Sequence, residues 1–374
     1  MGTAGVQNCK WQTMFNSLET GLRSVPRRGR MMEQSTPFAT TGARRPSGTQ
    51  QDDAALIEEI RALKAERGAA ILAHNYQIPP IQDLADVVAD SLKLARAAVE
   101  VESDLIVLCG VHFMAETAAI ANPGKRVLIP EPKAGCSLAD TIQARDVRKW
   151  KAEHPDGLVV AYVNTSAEVK AQADYCCTSG NAVAVVRALP PDVPVLFLPD
   201  FFLGNYVRDV TGRRMDVWLG ECHVHAGLRP SMLEARRREL PNAEFLVHPE
   251  CGCTTSMMYY MQQEQRSNGN GGGNGHGQGL VKIVSTEQMM QRARESTARQ
   301  FVIATETGVL HRMRKENPGK EFIPASEDAE CRYMKMITLA NLRDSLRHLV
   351  HEVTVPEETA VRARLAIERM LAIG

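Results

Sequence analysis

AAILAHNY, residues 69–76, is a short apolar run that closes on a histidine, an amide and a tyrosine, and its plan recurs twice. GLVVAYVN at 157–164 and AEFLVHPE at 243–250 have the same form. His74, Tyr162 and His248 hold the matching place, 88 and then 86 residues apart. A charged helical stretch precedes each run: LIEEIRALKAERG, ARDVRKWKAEHPDG and SMLEARRRELPN. Helix alternating with buried strand is the pattern of parallel α/β units, and its return at a fixed long period marks an internal repeat.

Two further registers keep step with the first. DVVADSLKLARAA, DYCCTSGNAVAVVRA and VKIVSTEQMMQRARE each run from an apolar or small segment through a serine into a helical pattern, which aligns Ser91, Ser179 and Ser285. Ser91 and Ser179 each follow the strand-end residue by 17 positions; Ser285 follows His248 by 37, and the Gly/Asn tract SNGNGGGNGHGQG at 267–279 accounts for the excess. A serine opening a helix is a natural N-cap. Helix N-termini also bind phosphate and carboxylate, so three matched serines, with Thr286 beside the third, read as anion anchors. The last register is cysteine: Cys136 in KAGCSLAD, Cys222 in LGECHVH and Cys331 in DAECRYMK, at 45, 43 and 46 residues past the serines.

These registers predict an α/β fold of three repeated parallel-sheet units around a pseudo-threefold axis, with strand ends aimed at a central active site. Units of roughly 90 residues are marginal alone and gain by packing together. The expected boundaries are a disordered extension over 1–53, repeats over 54–140, 141–228 and 229–353, and a C-terminal helix over 354–374. The third repeat carries the flexible Gly/Asn insertion, expected over 264–280.

With 44 basic against 44 acidic residues there is no overall field to recruit nucleic acid or an anionic membrane. No apolar run approaches the roughly 20 residues of a membrane span, and no signal-peptide core opens the chain, so a cytoplasmic enzyme is expected. Nine cysteines then point to metal or catalytic work rather than a disulfide framework. Cys251 and Cys253, in HPECGC, have no counterparts in the other copies and are expected to be inert buried thiols.

Three thiolates meeting at one centre suit a soft metal: zinc with an open position, an iron–sulfur cluster, or no metal at all remain compatible with the spacing. The same registers gather His74, Tyr76, Tyr162, Asn164, His248 and Glu250 at strand ends, Ser91, Ser179, Ser285 and Thr286 at helix starts, and His225 three residues past Cys222. Such a set suits acid–base chemistry on a small, multiply anionic substrate.

The motifs AHNYQ, QDLADVVADS, CGVHFMAETA, GCSLAD, AYVNTSAEVKA, TSGNA, LPDFFLG, VHPEC and ATETG, followed by a cysteine ahead of MKMITL, together resemble the quinolinate synthase family over residues 54–345. The resemblance implies condensation of iminoaspartate with dihydroxyacetone phosphate to quinolinate, phosphate and two waters, in de novo NAD biosynthesis. It also implies one [4Fe-4S] cluster per chain on Cys136, Cys222 and Cys331, with one iron left open as a Lewis acid, and a link to an L-aspartate oxidase or dehydrogenase. Carried onto matching motifs, it makes Tyr76, Tyr162, His225 and Glu250 catalytic. It makes His74, Ser91, Tyr162, Asn164, Ser179, His248, Glu250, Ser285 and Thr286 substrate-binding. This chain departs from the family pattern at Val284, where glycine is common. Other three-lobed cluster enzymes, a diphosphate-dehydroxylating reductase or a diphthamide-type radical enzyme, are disfavoured by His74, Tyr162 and Glu250. A non-enzymatic iron–sulfur sensor would need no phosphate anchors.

Overall fold

Each of the three matched runs is a buried parallel strand in a computed structural model that describes residues 50–269 and 281–373. The first set of elements is α1 (Gln50–Arg67), β1 (Ala69–His74), α2 (Pro79–Leu84), β2 (Val87–Ala89), α3 (Ser91–Glu100), β3 (Leu105–Cys109), α4 (His112–Ala121) and β4 (Arg126–Leu128). The second is α5 (Ala144–Glu153), β5 (Leu158–Tyr162), α6 (Ala167–Lys170), β6 (Tyr175–Cys177), α7 (Ala182–Ala188), β7 (Val195–Leu198), α8 (Phe201–Thr211) and β8 (Asp216–Val217). The third is α9 (Pro230–Glu239), β9 (Glu244–Val247), α10 (Thr254–Gly269), β10 (Val281–Ile283), α11 (Thr286–Glu295), β11 (Gln300–Ala304), α12 (Val309–Glu316) and β12 (Glu321–Pro324), followed by α13 (Leu339–His348) and α14 (Glu357–Ala372).

Three four-stranded sheets result, ordered β2-β1-β3-β4, β6-β5-β7-β8 and β10-β9-β11-β12. Every strand pairing in them is parallel. Identical order in three separate sheets is the structural form of the repeat. Parallel strands are covered by helices on both faces, so they read as near-continuous apolar runs. β1, β5 and β9 accordingly bury Ile71, Leu72, Val159, Val160, Phe245 and Leu246 almost completely, each contributing about 1.5–3 kcal/mol relative to exposure.

The 17-residue spacing has a geometric cause. His74 pairs with Ala89 and Tyr162 with Cys177, so Ser91 and Ser179 each lie two residues past the partner of the strand-end side chain. In the third sheet Val247 pairs with Ile283. Extending that register by one puts His248 opposite Val284 and makes Thr286, not Ser285, the equivalent of Ser91 and Ser179.

Three expectations are corrected at their edges. Helix α1 begins at Gln50, inside the stretch expected to be disordered, and α10 runs on to Gly269, into the expected insertion; residues 1–49 and 270–280 lie outside the described residues. Cys251 and Cys253 are joined as a disulfide rather than free, because the tight turn after β9 brings their Cα atoms to 5.1 Å. That distance is within the normal disulfide span. No helix among the described residues is long and apolar enough to cross a membrane.

Candidate active site

The carboxyl ends of β1, β5 and β9 open onto one pocket. His74, Tyr76, Ser91, Cys136, Tyr162, Asn164, Ser179, Cys222, His225, His248, Glu250, Thr286 and Cys331 all line it. Of the residues predicted from sequence, Ser285 alone is absent from the wall. Its hydroxyl accepts from Gln288 N–H at 3.4 Å while the Gln288 side chain accepts from Ser285 N–H at 2.9 Å, a capping box that opens α11. The matched serines also divide differently from the expected caps. Asp90 caps α3, leaving Ser91 as its first residue, and Asn181 precedes α7, two residues beyond Ser179.

Glu250 is the electrostatic centre. It accepts a hydrogen bond from Tyr162 Oη and lies 3.2 Å from His225 Nδ1 and 3.8 Å from His248 Nδ1. Burial alone would raise this carboxyl, yet His225, His248 and the tyrosine hydroxyl together hold it down at about 2. Burial likewise works against protonating His225, but Cys222 and Glu250 overcome it and lift the imidazole to about 10. Burial pushes His74 and His248 down to about 3. One imidazolium–carboxylate pair therefore sits among neutral imidazoles, with the His225 and His248 rings stacked at 4.7 Å.

Thr305 completes this network. Its Oγ1 lies 2.6 Å from Tyr76 Oη and 2.9 Å from His225 Nε2. Ser179 Oγ is 3.2 Å from His248 Nε2. Asn164 Oδ1 is buried with no protein hydrogen-bond partner, although it lines the pocket. Among the described residues no lysine or arginine is in the wall, so positive potential comes from His225 and the starts of α3 and α11.

The donor chemistry favours a soft cation. Burial pushes the Cys136 thiol up to about 12 and raises Cys222 and Cys331 as well, and ionising one opposes ionising another. Buried thiols that oppose one another's ionisation become stable thiolates when a bound cation neutralises them. Cys222, His225 and Glu250 also bring their donor atoms within 4.8 Å of one another, a group able to hold a metal ion. The lining also includes residues that the repeat did not single out, among them Asp90, Thr178, His223, Glu306 and Tyr333. Ser137 and His223, each next to a cysteine, meet at 2.7 Å.

Comparison with known proteins bears on the same span. A sequence model of the Quinolinate synthetase A protein family matches residues 58–372. Proteins named quinolinate synthase are similar over most of their length: one from Thermus thermophilus is 54% identical over 320 residues, 86% of this chain and 98% of its own. That of Pyrobaculum aerophilum is 51% identical over 316 residues, 84% and 98%. One from Mycobacterium tuberculosis is 51% identical over 317 residues, 84% and 88%.

Proposed function

The chain belongs to the quinolinate synthetase A protein family, and from that premise we propose that it condenses iminoaspartate with dihydroxyacetone phosphate to form quinolinate, phosphate and two waters. The carrying observation is the convergence of Cys136, Cys222 and Cys331, one from each set of elements, on a pocket that also holds Tyr76, Tyr162, Asn164, His225 and Glu250. The three thiolates would hold one [4Fe-4S] cluster per chain, with one iron lacking a protein ligand. When bound, such a cluster supplies Lewis acidity for hydroxyl departure.

The chain's own residues divide the remaining work. The hydroxyls of Ser91, Ser179 and Thr286, with the free amides at the starts of α3 and α11, bind the phosphate and carboxylates. Asn164 offers its unpartnered carbonyl oxygen to a substrate N–H or hydroxyl. Glu250, ionised beside His225, accepts a proton from carbon or nitrogen, and Tyr162 and His248 hold it in place. Tyr76, hydrogen-bonded to Thr305, donates to a departing hydroxyl. His74 stands edge-on to the Tyr76 ring at 4.4 Å and fixes its plane. Iminoaspartate hydrolyses in water, so a neighbouring L-aspartate oxidase or dehydrogenase is the fitting source, in the cytoplasm.

The test is anaerobic iron and sulfide analysis with a visible spectrum, followed in the same sample by quinolinate formation from the two substrates. Cluster and product together support the whole reading. Cluster without product keeps the metal centre and rejects the substrates, whereas zinc in place of iron rejects the cofactor. Cys136→Ser, Cys222→Ser and Cys331→Ser should each lose the brown chromophore and activity, while Cys253→Ser keeps both.

A further inference from the structure

Asn75, between His74 and Tyr76, is fully buried yet does not line the pocket, whereas Thr286 does. Its backbone is fixed on both sides: the N–H donates to Ala89 O at 3.0 Å, and the carbonyl accepts from Gln82 Nε2 at 3.1 Å. Its side chain leaves the first set of elements and reaches the third. Nδ2 donates to Thr286 Oγ1 at 3.4 Å and to Glu287 Oε1 at 3.3 Å, both at the start of α11. Oδ1 accepts from Arg312 Nη1, on α12, at 3.0 Å, and the same nitrogen pairs with Glu287 Oε1 at 2.5 Å.

The chemistry of these partners decides which way the amide points. A guanidinium can only donate, and an ionised carboxylate can only accept. Arg312 therefore holds the oxygen of Asn75, Glu287 holds the nitrogen, and the amide turns its second N–H to Thr286. A threonine hydroxyl has one proton and two lone pairs. One lone pair of Thr286 faces Asn75, and among the described residues its own proton has no acceptor, so that proton is left for the pocket. A carboxylate or phosphate oxygen takes it; a group that can only donate is refused. We propose that Asn75 is a positioning residue, locked by Arg312 and Glu287, that commits the Thr286 hydroxyl to donate to an anionic group of the substrate. The inference rests on the reading of Thr286 as an anion anchor.

The test is calorimetric binding of two probes, quinolinate and inorganic phosphate, to anaerobically purified, cluster-loaded protein. Thr286→Val identifies the probe that depends on the hydroxyl. Asn75→Ala should weaken that same probe about tenfold and Arg312→Met about fivefold, with the other probe changed less than about twofold. Arg312→Lys, which keeps a cation that can only donate, should return binding to within about twofold of the wild type. In the Thr286→Val background Asn75→Ala should cost less than about twofold more, because both changes remove one interaction. Equal weakening of both probes, or a full further loss in the Thr286→Val background, overturns the positioning role. If Asn75→Ala does not fold, Arg312→Met, at the outer and partly exposed side of the network, carries the test. Should Thr286→Val alter neither probe, Thr286 is not the anchor and the inference falls with it. Binding is read whether or not quinolinate is made, so failure of the proposed reaction is seen separately.

Discussion

Asp90 shows how one buried side chain ties the site to pH. It caps α3 by accepting Lys93 N–H at 3.0 Å and lines the pocket beside Ser91. Burial, reinforced by the nearby Glu287 carboxylate, raises it from 3.8 to about 6 despite the amides it accepts from. The folded state therefore holds its proton more tightly than the unfolded chain. Asp90's contribution to stability is fully present below about pH 4, falls as pH rises through about 6, and is then lost, a difference of up to about 3 kcal/mol. An asparagine in its place would cap equally well without ionising. Asp90→Asn should accordingly raise the urea midpoint at pH 8 and leave it nearly unchanged at pH 4; an equal gain at both would remove titration as the cause.

At the scale of the element, the starts of α3, α7 and α11 separate capping from binding. Ser285→Ala loses one half of a capping box, at about 1 kcal/mol of stability, and should leave KM unaltered because that hydroxyl is spent on α11. Thr286→Val keeps shape and stability but removes a hydroxyl from the wall, and should raise the KM of one substrate about tenfold. Thermal melts with parallel kinetics distinguish the two, and the reverse pattern would restore Ser285 as the anchor. Spacing aligned Ser285 with Ser91 and Ser179, one residue short of the position that strand pairing matches to them. The Gly/Asn tract has no fixed length to subtract, and only the pairing of Val247 with Ile283 fixes the count. His74, Tyr162, Glu250 and the three cysteines were legible because each register repeats. Thr305 and Glu306 were not, since the matching place holds Pro199-Asp200 after β7 and Gly110-Val111 after β3, leaving no threefold match to notice. The disulfide escaped for another reason: a CGC turn does not announce its own backbone curvature.

Across the whole molecule, α14 works as a strap. The backbone carbonyls of Met370 and Ile373 accept from Asn181 Nδ2 at 3.0 and 2.7 Å, and Arg364 Nε donates to Ile120 O at 2.9 Å, so this C-terminal segment touches the first and second sets of elements. It buries Ala363, Ala366, Ile367 and Met370 fully. Ending the chain at Val355 exposes the seats of Ile367 and Met370 and should lower stability by about 3 kcal/mol or more. A denaturation midpoint unchanged by this truncation would mean that α14 is dispensable. The three sheets also give the molecule a front and a back. All strands within each sheet run the same way, and the carboxyl ends of β1, β5 and β9 face the pocket, so the end of α10 at Gly269 and the start of β10 at Val281 lie toward the opposite pole. That pole is where a fluorophore, an affinity handle or a surface tether can be spliced in, so that an immobilised molecule still presents its open mouth to solution.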